Sequence, residues 1–285
     1  MNLENIINHI ETVDAELPGR LNSRRQIFKS FAGMGTKLAL TAVPIAFGGL
    51  LKKSYGQTPP PSVVSVLNFA LLLEYLESKF YETAVAAGPS LIGGYRDQLA
   101  IANIALHEKQ HVKFLQTAIS SAGGTPIMEP KFDLSGGGGS GMGPFKDAFT
   151  NYGLFLAVAQ TLEDTGVRAY KGQAGNLKGT GGILTAALNI HSVEARHASH
   201  IRQMRVNNNF AAFEKLKPWI TGKDTGGIGA LVEANYKGED LTNQAGVEIV
   251  NINGKQISFD DATESFDEPL SKEEVTALVT GFLVK

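Results

Sequence analysis

The residues of this chain with an evident capacity for chemistry fall into two copies of one spacing. A lone glutamate, Glu74, precedes the Glu-x-x-His pair Glu108 and His111, and a second lone glutamate, Glu163, precedes Glu194 and His197. The lone residue stands 34 positions before its pair in the first copy and 31 in the second. Carboxylate oxygens and imidazole nitrogens bind divalent metals, and positions i and i+3 share one face of a helix. Two glutamates plus two Glu-x-x-His pairs, each on its own helix, make the ligand set of a two-metal carboxylate site inside a four-helix bundle. One Glu-x-x-His alone is ordinarily a solvated helix face; the duplication in matching order is what favours a metal site. Four buried carboxylates are prohibitive unless balanced, and two divalent cations balance them. Oxygen-rich sites with one imidazole per metal suit iron or manganese better than softer ions.

The elements that must position these residues are apolar helices. Glu74 lies in VVSVLNFALLLEYLESKFYETAV and Glu163 in YGLFLAVAQTLEDTGVRAYKGQ, both too hydrophobic for a solvated helix. The two pairs lie in IANIALHEKQHVKFLQTAI and ILTAALNIHSVEARHASHIRQM, with apolar residues at helical spacing. The pattern predicts helices over roughly 62–87, 96–121, 146–174 and 182–207. Each ligand glutamate then falls about 12–13 residues from the short turn that joins its hairpin, which sets all four at one level of the bundle. Each lone glutamate is followed seven positions later by a tyrosine, Tyr81 or Tyr170, on the same helix face. These tyrosines serve either as hydrogen-bond donors to ligand carboxylates or as core packing. Glu77, one turn from Glu74, is the rival ligand; Glu74 is preferred because its spacing to Tyr81 matches that from Glu163 to Tyr170. Asp164 should point off the ligand face. His107 should face outward or cap a carbonyl, and His191 and His200 read as outer neighbours or surface residues.

With 285 residues, 43% of them hydrophobic, the chain can bury a core of one large or two small domains. A net charge of -2 gives no basic footprint for a nucleic-acid partner. The absence of cysteine excludes disulfides, thiolate ligation and cysteine catalysis. At the N-terminus, Ser23-Arg24-Arg25-Gln26-Ile27-Phe28-Lys29 resembles a twin-arginine export motif. The moderately apolar stretch from Phe31 to Leu51 is interrupted by Lys37, Pro44 and several glycines, so it reads as a removable signal, not an anchor. Residues 1–56 are therefore expected to be a signal segment cleaved after Gly56. The mature chain should be periplasmic, or otherwise exported, and without a stable membrane span. Residues 57–209 should form the bundle. The Gly/Pro-rich stretch 123–145 is long for a helix connection, and reads as a crossover between the second and third helices. Residues 210–285 read as an appendage packed on the bundle: a short helix at Ala230–Tyr236, a hairpin between Val247 and Phe259 around Asn253-Gly254, and a last helix opened by a Ser271–Glu274 capping box.

At these residues the chain resembles the ferritin-like superfamily of ferritins, rubrerythrins and manganese catalases. LNFALLLEYLESKFY, HEKQHVKFL and EARHASHIR are similar to bacterial exported ferritin-like proteins related to plant desiccation-related proteins, over roughly 62–207. The resemblance implies an all-α four-helix bundle with one long crossover and a small appendage. Its metal ligands would be Glu74, Glu108, His111, Glu163, Glu194 and His197, with Glu108 and Glu194 bridging, the histidines terminal, and Glu74 and Glu163 terminal or bridging. Two adjacent metals bridged by carboxylates can cycle by two electrons, so the leading reading is redox or peroxide and metal detoxification in stress, with O2 or peroxide as the small-molecule oxidant. The alternative is a non-enzymatic stress or desiccation protein whose metals only stabilise the fold, and a third is metal storage, which needs a cage. Whether the site turns over, and whether the chain forms a homo-oligomer, stay open at this level.

Overall fold

The computed structural model describes residues 61–211 and 216–285. The expected export motif and its cleavage position lie outside the described residues. Four long helices follow in order: α1 (Pro61–Ala87), α2 (Tyr95–Ser121), α3 (Tyr152–Ala174) and α4 (Gly182–Asn207). α1 packs along α2, and α3 along α4, as two helical hairpins. α1 stops where Gly88 takes a positive φ of 57° and Pro89 follows, which ends an α-helix without steric cost. α2 opens with Asp97 in its first turn, where the helix dipole favours a carboxylate.

Asp97 also reveals the direction of the helices. Its carboxylate accepts hydrogen bonds from the Tyr152 hydroxyl at 2.9 Å and the Asn208 amide at 2.8 Å. Tyr152 opens α3 and Asn208 follows α4, so the starts of α2 and α3 meet the end of α4. Hence α2 and α3 run parallel, and the chain between them must return along a 27-residue helix, roughly 40 Å long. The expected crossover does this. It is irregular except for turns and one β-bridge, Phe132 to Leu283, and Asn68 of α1 pins it through Thr125 O and Ile127 N. α3 begins later than expected, because residues 146–150 form turns and Asn151 caps the helix through Leu154 N at 3.0 Å.

The C-terminal segment packs mainly on α3. It comprises a 3-10 helix (Ala230–Tyr236), a hairpin of β1 (Asn243–Gln244) and β2 (Val247–Glu248), then α5 (Phe259–Glu264) and α6 (Lys272–Val279). The expected short helix, hairpin and last helix all exist in the tail, but the hairpin turns at Ala245-Gly246 and not at Asn253-Gly254. Asn253 and Gly254 do take left-handed conformations, φ 55° and 72°. Their flanks are joined by the Asn251 N to Ile257 O bond and form no strands. The reason is local: Ser258 and Asp261 form a capping box that draws Phe259 into α5. The expected box at Ser271 and Glu274 does open α6. Leu270, Val275, Val279 and Phe282 of the tail share one core with Phe80, Phe155 and Leu156. Gly172 permits that approach, since a Cβ there would lie 1.9 Å from Leu270 O. No helix among the described residues is long and apolar enough to cross a membrane.

Candidate metal centre

The bundle brings the six expected residues to one place. Glu74, Glu108, Glu163 and Glu194 are each 0% exposed, and His197 is buried at 5%; the His111 side chain keeps 11%. Two groups of potential metal ligands form, one of Glu74, Glu108, His111 and Glu194, the other of Glu108, Glu163, Glu194 and His197. Within each group one ligand atom per residue lies within 4.8 Å of the others. Glu108 and Glu194 belong to both groups, so the pair shares two carboxylates and keeps one carboxylate and one imidazole on each side. His111 Nδ1 lies 3.1 Å from Glu74 Oε2, 3.2 Å from Glu108 Oε2 and 3.1 Å from Glu194 Oε1. His197 Nδ1 lies 2.8 Å from Glu108 Oε1 and 3.4 Å from Glu163 Oε2.

The donor atoms fit a cation better than they fit one another. Glu108 Oε1, Glu163 Oε2, both Glu194 oxygens and His197 Nδ1 are buried without a hydrogen-bond partner among the described residues. Leaving such groups unpaired is costly, and a divalent cation would satisfy these lone pairs. In the protein's own terms the cluster holds protons instead. Burial, then the Glu194 charge, raises the Glu108 carboxyl well above the ordinary range. Burial also raises Glu163 to about 7 against the pull of His197. For His197 burial disfavours the charge, but Glu163, Glu108 and Glu194 outweigh it and push the imidazole up to about 12. His111 is raised in the same way against its own burial, chiefly by Glu74. Burial opposes the charge on Glu194 too, yet the two histidines hold it down at about 2.

The tyrosines do bond ligand carboxylates, and they do so across the halves. Tyr81 on α1 donates to Glu163 Oε1 of α3 at 2.5 Å, and Tyr170 on α3 donates to Glu74 Oε1 of α1 at 2.5 Å. Each lone glutamate is thereby oriented by the opposite hairpin, which leaves its second oxygen for the site.

Glu77 is buried as well, a fifth carboxylate where four were expected. It belongs to neither ligand group. It points toward Gly166 on α3, where a Cβ would sit 3.1 Å from Glu77 Oε1. A small apolar slot walled by Leu73, Leu76, Leu162 and Val279 ends at this pair. Burial, then the charges of Glu194 and Glu163, raises Glu77 well above the usual carboxylate range, so its neutral form is favoured. Its spacing of three from Glu74 already placed it on the ligand face. Asp164 turns off that face as expected, bonded to Arg202 Nε at 3.2 Å and Nη2 at 2.5 Å and to the Tyr236 hydroxyl at 2.7 Å. His191 bonds Val167 O at 3.0 Å, and His200 is exposed. His107 is exposed as expected but not idle: its Nδ1 lies 3.0 Å from His197 Nε2. No sequence spacing announces that contact, because the two residues lie on different helices.

This fold and this cluster define a ferritin-like protein. The ferritin-like domain family matches residues 62–207, more than half of the chain, and the chain belongs to that family. No curated protein matches the chain significantly.

Proposed function

We propose that the protein holds two divalent metal ions, iron or manganese, through Glu74, Glu108, His111, Glu163, Glu194 and His197, and uses them in redox chemistry with O2 or peroxide. The observation that carries this reading is the pair of overlapping buried ligand groups that share Glu108 and Glu194. When bound, the metal pair would supply two electrons to a small oxidant or accept them from it. The chain's own residues do the rest. Glu108 and Glu194 span the two positions, and the crossed Tyr81 and Tyr170 bonds fix Glu163 and Glu74. The apolar walls around the cluster restrict water. The slot that ends at Glu77 has room for a molecule about the size of one water. The twin-arginine-like segment supports a periplasmic or otherwise exported protein, and the chemistry fits detoxification of peroxide or metal under oxidative stress or desiccation.

The test is elemental analysis of the full chain reconstituted with iron or manganese, with Glu108→Ala alongside, followed by peroxide consumption. The expected result is about two metals per chain, lost in the variant together with turnover. Stoichiometric metal without turnover would leave a structural role, and no stoichiometric metal would overturn the reading.

A further inference from the structure

The site is built from two like halves, yet among the described residues only one of its histidines is held from behind. His107 Nδ1 meets His197 Nε2 at 3.0 Å. The two rings lie 9° from parallel with centroids 5.2 Å apart. That separation exceeds the N···N distance by about two ring radii, so the imidazoles meet edge to edge through the hydrogen bond. The residue before Glu194, in the place His107 holds before Glu108, is Val193. Valine has no group to offer, and among the described residues nothing hydrogen-bonds His111 Nε2.

Resting on the two-metal reading, we infer that His107 is a positioning residue that makes the two metal positions unequal. A ligand imidazole must present a lone pair at one nitrogen, and the hydrogen bond at the other nitrogen decides which. His197 points Nδ1 at Glu108 and Glu163; once a metal takes that nitrogen, the remaining proton belongs on Nε2, where His107 Nδ1 accepts it. That bond fixes ring orientation and tautomer and makes Nδ1 a better donor. Among the described residues the polar contacts of His111 are the carboxylates in front of it. The position formed by Glu108, Glu163, Glu194 and His197 therefore fills first, and the position formed by Glu74, Glu108, Glu194 and His111 fills second. His107 is exposed, so it can be replaced without opening the core, and its outer edge remains in water.

The experiment is a calorimetric titration of the metal-free full chain with Mn(II), comparing wild type, His107→Val and His107→Gln. Long-range proton–nitrogen NMR spectra of the His197 ring with Zn(II) bound accompany it. Wild type should bind in two separable steps. His107→Val, which makes the halves alike, should weaken the tighter step by about 10–100-fold and leave the weaker step in place. His107→Gln, whose amide oxygen can accept the same proton, should restore most of that loss and keep His197 protonated at Nε2. Two equal steps in wild type, or an equal loss in both variants, would overturn the inference while leaving the two-metal site standing. No binding by wild type would overturn both.

Discussion

The two helical hairpins of the bundle carry the same ligand pattern and differ in nearly everything around it. Residues on α3 correspond to those on α1 at an offset of 89, and residues on α4 to those on α2 at an offset of 86. In that register Glu163 matches Glu74, Tyr170 matches Tyr81, and Glu194 and His197 match Glu108 and His111. Among the many departures from the match are Glu77 against Gly166, His107 against Val193, and Lys79 against Arg168. Lys79 is exposed, whereas Arg168 is fully buried beneath the C-terminal segment. Arg168 is paired with Glu239 at 2.7 Å and donates to the carbonyls of Glu268, Asn235 and Lys237. The site is thus a symmetric set of ligands in an asymmetric frame. One half holds the tail through a buried arginine, and the other carries the extra carboxylate and the supporting histidine. A repeat constrains what must bind the shared ions and leaves each half free in what it packs against.

The sharpest way to break this comparison is to separate shared ligands from private ones. Glu108→Gln or Glu194→Gln should lose both metals, since each residue serves both groups. Glu74→Gln or Glu163→Gln should leave about one metal per chain, counted by elemental analysis. Next in size is the tail latch. Arg168→Met strands buried Glu239 and three carbonyls and should cost about 3–5 kcal/mol in urea unfolding, while Lys79→Met should leave the midpoint unchanged.

Acidity gives a smaller effect that both halves share. Metal must displace protons held by Glu108, by Glu163 with its pKa near 7 and by His197 with its pKa near 12. Binding therefore releases protons and tightens as pH rises, by roughly tenfold per pH unit for each proton released between pH 6 and 8. Titrations in buffers of different ionisation enthalpy will count those protons. The smallest effect belongs to Glu77. Its folded-state pKa is raised, so its contribution to stability is complete below the unfolded value and is lost as pH rises through the folded one. Glu77→Gln should flatten the fall in thermal midpoint of the metal-free protein between pH 5 and 9, and should retain both metals.

Helix periodicity and the paired spacings made the bundle, the crossover and the six converging residues legible, because burial repeats every turn and ligand spacing is local to one helix. α3 starts later than its apolar pattern implies because the turns of residues 146–150 and the Asn151 cap compete with continued helix. The hairpin lies away from Asn253-Gly254 although that pair has the right turn conformation, because its outgoing flank is claimed by the cap at Ser258. Glu77 was visible as a rival ligand, yet only packing against Gly166 gives it a place of its own. The crossed tyrosine bonds, the His107–His197 contact and the bonds of buried Arg168 join residues 67–100 positions apart, and no local pattern encodes such contacts.

The central claim is that one pair of shared carboxylates organises two metal positions. Crystals grown with iron or manganese and measured at the absorption edge test it directly. Two anomalous peaks about 3.5–4 Å apart, each touching both Glu108 and Glu194, are the expected result. A single peak, or none at these residues, would contradict it.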